Sequence, residues 1–341
     1  MKKIWVCFGS VLAVAFAANA WAADYTMKIG WAETADPMGH PASAAMHAFK
    51  DEVEKESGGR MEVQLYPTGQ LGDAKSMLSQ VKQGILQSCA SIPSGMIAGR
   101  YYKNLNMFDI PYLFDDNITA WRVLNPSTRF FHDLSDDLAR KTGIRPLAFF
   151  VEGQRHFTNN TRPITKVADL KGLKIRTMEV PAHMEMVRAF DASPTPISWL
   201  ELYSSLQTGV IDGEENPISN ILYAKLNEVQ KYLTLDGHLT LLDTWVINEK
   251  WYAGLPADLR AIVDRAASMA EITNRGLAQV MEVTGIGELA GKGMQITRLS
   301  PASLAEFRKV SQARVLPYIE KAVDDATWIT RIQAEIKTAQ P

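Results

Sequence analysis

Two arginines stand where a charged side chain is costly. Arg155 follows Glu152-Gly153-Gln154 at the end of the apolar run Leu147 to Val151, and Arg176 lies inside the strand-like Gly172-Leu173-Lys174-Ile175-Arg176-Thr177. A guanidinium in an apolar strand is expensive to desolvate unless it meets an anion. Its planar fork of donors matches a carboxylate in bidentate geometry. The alternative for each is a structural salt bridge with a nearby Asp or Glu. Downstream, Gly209-Val210-Ile211-Asp212-Gly213-Glu214-Glu215-Asn216-Pro217 reads as a short strand, Val210 to Gly213, ending in a glycine turn. That places Asn216 where a sheet edge opens into a crevice, a usual ligand position in α/β folds. An amide there both donates and accepts, so it orients a carboxylate, or it is a plain turn residue before Pro217. Trp199 either roofs an apolar pocket or fills the core. Glu33, Glu152 and Glu179 offer further polar contacts, or are solvated surface charges.

Enzymatic machinery is not evident. An enzyme needs a nucleophile, an acid/base set or a cofactor cradle. There is no Gly-x-Ser-x-Gly elbow and no Gly-x-x-x-x-Gly-Lys loop. Gly285-Ile286-Gly287-Glu288-Leu289-Ala290 approaches a dinucleotide fingerprint, but it follows a helix pattern instead of a strand. The histidines (His40, His47, His132, His156, His183, His238) show no paired metal spacing, and His183 on a helix candidate is a pocket residue or a satisfied core group. The expectation is a protein that is not an enzyme, without cofactor or metal.

Composition narrows the class. The 341 residues are 46% hydrophobic and 22% charged, which suits packed domains and excludes a disordered chain. The 36 basic and 38 acidic residues form no basic block, so nothing marks a nucleic-acid surface. Met1-Lys2-Lys3, an apolar run Ile4 to Ala18 and Ala20-Trp21-Ala22 read as a secretory signal peptide over residues 1–22. Cleavage there removes Cys7 and leaves Cys89 alone, a buried strand residue with no disulfide partner.

Strand and helix patterns alternate along the rest, which argues for an α/β fold. Tyr25 to Trp31 and Met61 to Tyr66 flank a helix over His47 to Glu56, and Asp73 caps a helix that ends at Gly84 before the Cys89 strand. Later strands are Ile144 to Val151, Gly172 to Thr177, Tyr232 to Leu235 and Thr244 to Asn248; helices cover Ala182 to Phe190 and Leu200 to Gln207. After Pro256, the apolar face through Leu259, Ile262, Val263, Ala266, Ala270, Leu277 and Met281 predicts a helix of roughly 26 residues, about 39 Å, long enough to brace two domains. Ser300-Pro301 caps a last helix toward Pro317.

At the binding residues the chain resembles a known family. Tyr66-Pro67-Thr68-Gly69-Gln70-Leu71-Gly72, Asp169-Leu170-Lys171-Gly172-Leu173-Lys174-Ile175-Arg176, Ser193-Pro194-Thr195-Pro196 and the run Glu201 to Pro217 are similar to the solute-binding proteins of TRAP (tripartite ATP-independent periplasmic) transporters. The resemblance covers the chain after residue 22. It implies a two-domain periplasmic binding protein fold with mixed sheets, crossing strands and a long bracing helix. Residues 23–153 plus 242–281 would form one domain, and 154–241 plus 282–341 the other. It further implies a sodium-driven membrane permease of a small and a large subunit as partner, in the periplasm. Arg176 resembles the family's principal carboxylate-binding arginine and Arg155 its second. Asn216 resembles the asparagine that also contacts the carboxylate, and Trp199 the aromatic pocket residue. The sialic-acid-binding branch has polar or acidic residues where this chain has Ala32, Ala74 and Ile92, which disfavours sialic acid. The resulting expectation is capture of an organic acid for uptake. The alternatives are a ligand-sensing subunit and a cleft enzyme acting on such an acid.

Overall fold

The computed structural model describes residues 23–340, so the signal peptide expected over 1–22, with Cys7, lies outside the described residues. The chain opens with β1 (Tyr25–Gly30), β2 (Met61–Tyr66) and β3 (Ser88–Pro93), with β1 in parallel register against both of the others. The crossovers are the helices Pro41–Glu56 and Ala74–Gln83. The first begins well before His47, because Pro41 is pre-set for a first helical turn and the His40 ring accepts from the Ala42 amide as N-cap. Its opening Pro-Ala-Ser-Ala-Ala stretch carries no apolar rhythm to betray it. The second is bounded as its sequence predicts: Asp73 accepts from the Ser76 amide at 2.7 Å, and Gly84 closes it at φ 75°.

Two long strands organise everything else. β4 (Ile144–Asn159) and β8 (Tyr232–Asn248) run antiparallel from Ile144 opposite Asn248 to Asn159 opposite Tyr232. The sequence pattern ends β4 at Val151 and splits β8 in two, because Glu152, Arg155, Asp236, His238 and Asp243 interrupt the apolar alternation. The backbone ladder nevertheless continues through bulges between Val151 and Gly153 and between Arg155 and Phe157. Between them in sequence come β5 (Lys174–Thr177), β6 (Ser193–Pro196) and β7 (Gly213–Asn216). β6 tolerates Pro194 and Pro196 because it is an edge strand. β7 begins at Gly213 instead of ending there: a Cβ on Gly213 would sit 2.1 Å from the Thr158 carbonyl oxygen, so the glycine admits a close backbone. Asn216 is therefore a sheet residue opposite His156, not a turn residue beyond the strand.

With β9 (Gln295–Arg298) on β8, the ladder is one continuous nine-stranded mixed sheet of order β2-β1-β3-β8-β4-β7-β5-β6. The helix after Pro256 covers Ala257–Gly291, 35 residues, longer than its apolar face predicts. Leu259, Ile262, Val263, Ala266 and Ala270 are buried as expected, whereas Leu277 and Met281 are only half-buried. Farther on, Gly285 abuts Ile218 and Leu222 so closely that a Cβ would lie 2.5 Å from Ile218. The helix thus packs on the helix Pro41–Glu56 through its first half and on the helix Ile218–Tyr223 through its second. The helix Pro301–Ala322 passes through Pro317, and a further helix, Thr327–Ala339, follows. This last helix buries Trp328, Ile332 and Ile336 in the same core as Phe130 and Leu124. Cys89 is buried in β3, and burial pushes its thiol up, out of reactive range.

Candidate ligand site

A cavity opens where β8 and β4 lie side by side. Arg155, Arg176, Asn216, Trp199, Glu179 and Glu33 all line it. Glu152 does not: it is one layer behind, accepting from the Asn274 amide of the long helix at 2.8 Å.

Arg176, on β5, is 2% exposed. Its Nε donates to the Ile197 carbonyl at 2.8 Å, its Nη1 has no partner, and it forms no ion pair among the described residues. Burial and the nearby Arg155 charge pull it down to about 10, so it stays cationic at neutral pH. Arg155, on β4, is fully buried and differently held. Its Nε donates to the Glu215 carboxylate and its Nη2 to the Glu215 carbonyl, leaving Nη1 unpartnered. Burial raises Glu215, but Arg155, His183 and His238 outweigh it and hold the carboxyl well below its usual range. His238 spans Glu215 Oε2 (3.2 Å) and Asp236 Oδ2 (2.7 Å). Burial lowers it, yet Asp236 and Glu215 raise it to about 9, so both ring nitrogens donate. His183 sits behind the cavity wall, 3.1 Å from Asp109.

Asn216 is fixed by its neighbours. Its amide donates to Glu214 and its oxygen accepts from Asn220 at 3.3 Å. The Asn220 oxygen accepts in turn from His40 Nε2 at 3.0 Å. Burial lowers His40 to about 4, and its Nδ1 already accepts from Ala42, so the Nε2–H tautomer is set. Trp199 stacks on Tyr223 with centroids 6.3 Å apart. At the mouth, Glu179 faces Lys75 at 3.8 Å, and both are over a third exposed.

The opposite wall is acidic. Burial, then Asp243, raises Glu33 to about 8, and its Oε2 has no partner. Asp243 is raised to about 6 by burial; its Oδ2 accepts from Ser91 at 2.8 Å and its Oδ1 is unpartnered. Ser91 reaches it from the β3 bulge, at φ 56°. Asp243, Ser91 and Asn220 escape sequence reasoning, although an acid inside the apolar run Leu239 to Ile247 is the same signal that flags Arg176. Ala32 and Ala74 line the cavity, while Ile92 points into the core. Among the described residues, no group of three His, Cys, Asp or Glu side chains is placed to hold a metal ion.

Comparison with known proteins agrees with this architecture. The model of the bacterial extracellular solute-binding protein family 7, DctP, matches residues 32–321, and the chain belongs to that family. The ectoine/5-hydroxyectoine-binding periplasmic protein UehA of Ruegeria pomeroyi is 30% identical over 97% of this chain and 96% of its own. A TRAP periplasmic solute-binding protein of Polaromonas sp. JS666 bound to D-erythronate superposes with a TM-score of 0.82 at 31% identity, covering 91% of this chain and 98% of that one. Another, from Roseobacter denitrificans with bound L-galactonate, has a TM-score of 0.80 at 27% identity, covering 93% and 99%. The two-domain TRAP binding-protein fold is thereby established, and the family is one of solute-binding transport components, not enzymes.

Proposed function

We propose that the cavity captures the carboxylate of an organic acid in the periplasm and hands it to the membrane subunits of a TRAP transporter. The observation that carries this is Arg176: a buried guanidinium without an ion-pair partner among the described residues, its Nη1 unpartnered and the residue on the cavity wall. A ligand carboxylate supplies the missing charge in a site where water no longer screens it. Arg155 offers its remaining Nη1, and Asn216 holds the anion's orientation from β7. Trp199 covers the apolar part of the guest, and Glu179 with Lys75 guards the mouth. Residues 23–153 with 242–281, and 154–241 with 282–341, act as the two lobes that close on it, and a closed shape stabilised by the ligand is what the permease recognises. Residues 1–22 direct export. The D-erythronate and L-galactonate complexes of relatives support a hydroxy-acid guest. Calorimetry with these two acids tests the reading: binding to the wild type and its loss in Arg176→Ala are expected, and equal binding by that variant would refute the assignment.

A further inference from the structure

The cavity is polar in a directional sense, and the strand order is the reason. Arg155, Asn216 and Arg176 stand on β4, β7 and β5, whereas Glu33, Ser91 and Asp243 stand at the end of β1 and on β3 and β8. Among the buried groups that line the cavity, the sheet therefore places the two arginines on one side of the β8–β4 seam and Glu33 and Asp243 on the other; the exposed Lys75–Glu179 pair at the mouth lies outside this order. Within the acid group, Glu33 Oε2 and Asp243 Oδ1 are buried without partners, as Arg155 Nη1 and Arg176 Nη1 are on the cationic side. We infer that the guest carries hydrogen donors, hydroxyl or ammonium, at the end away from its carboxylate, and that a second carboxylate at that end is rejected. The inference rests on the carboxylate reading above and adds the chemistry of the far end.

The physical argument is one of unsatisfied acceptors. Buried carboxyl oxygens without partners are costly: Asp243 Oδ1, mainly ionised at pH 7, is relieved by a donor on the guest, and Glu33, mainly protonated there, is relieved by a hydroxyl, which can accept from its O–H as well as donate to it. The other titratable groups around Glu33 do not relieve it. Asp243 and Glu152 are acids, Tyr223 is a phenol held un-ionised by burial, and His40 is neutral and donates to Asn220. Glu152 is itself raised well above its usual range by burial and by Asp243 and Glu33, so this wall already resists its own ionisation. A dicarboxylate would add another negative group there and would have to bring a further proton to be accommodated. A hydroxy acid or a zwitterion adds donors instead.

The test is calorimetry at pH 7 with D-erythronate, L-galactonate and ectoine against succinate, glutarate and adipate. The wild type should bind the best of the first set at least about tenfold tighter than the best dicarboxylate. Glu33→Gln or Asp243→Asn, each checked for folding by circular dichroism, should narrow that ratio to about threefold or less. A dicarboxylate within about twofold of the best donor-bearing acid overturns the inference without any variant. An unchanged ratio in both folded variants does the same. Arg176→Ala separates the failures: if it loses both sets while the wild-type ratio is near one, only the far-end chemistry is wrong. If it binds both sets as the wild type does, or if the wild type binds neither set, the carboxylate reading falls and takes this inference with it. Ectoine above both hydroxy acids assigns an ammonium-type donor; the reverse order assigns hydroxyls.

Discussion

Arg155 and Arg176 are neighbours with opposite surroundings. Arg155 is built into the sheet by Glu215, which is backed by His238 and Asp236 and flanked by His183. Arg176 has one backbone carbonyl and no counterion among the described residues. The first is a charge that folding has already neutralised. The second is a charge left for something else to neutralise, which folding tolerates only because the rest of the structure over-determines its position. A buried guanidinium is therefore not in itself a binding group; what matters is whether its partner comes with the chain.

The sharpest way to break this contrast is to make Arg155 resemble Arg176. Glu215→Gln removes the built-in counterion and should destabilise the protein by about 3–5 kcal/mol, measured by chemical denaturation. Arg176→Met should do the reverse to stability, leaving it unchanged or raised, while weakening carboxylate binding at least about a hundredfold in calorimetry. A smaller effect is in pH. His238 is raised above 6.5 to about 9, so its stabilisation is complete below 6.5 and is lost as pH climbs through 9. Glu33 is raised above 4.5 to about 8, so it too costs stability as pH rises across that window. Thermal unfolding should show Tm falling from pH 6.5 to 9, and Glu33→Gln should flatten part of that fall. Trp199→Ala should weaken binding by about tenfold with little change in Tm, since the ring is only half-buried. Smallest of all, Lys75→Ala should change affinity by less than about threefold, because the Lys75–Glu179 pair is exposed and screened.

Much of this was legible from residue types. Asp73 and Gly84 bound their helix because a cap and a left-handed terminus are local chemistry, readable without a partner. Arg176 was legible because a charge inside an apolar strand violates a rule, and Asp243 violates it in the same way. What escaped depends on distant chain. β4 and β8 pair through their polar centres because each supplies the other's hydrogen bonds, something no window of one strand contains. Whether Arg155 was a binding group or a structural one turned on Glu215, sixty positions away in sequence and across a strand pair. The separation of Glu152 from the cavity is set by Asn274 on the bracing helix.

The long pairing of β4 with β8 has a mechanical consequence. Because the ribbon is paired both at Ile144 opposite Asn248 and at Asn159 opposite Tyr232, its ends cannot drift apart as beads on a tether would. Any relative motion is flexure of a stiff two-ply strip, and its weak creases are the irregularities at Gly153 and just past Arg155. Those creases adjoin Arg155, which would offer the guest only its remaining Nη1, so bending is felt at the edge of the site and not at Arg176 itself.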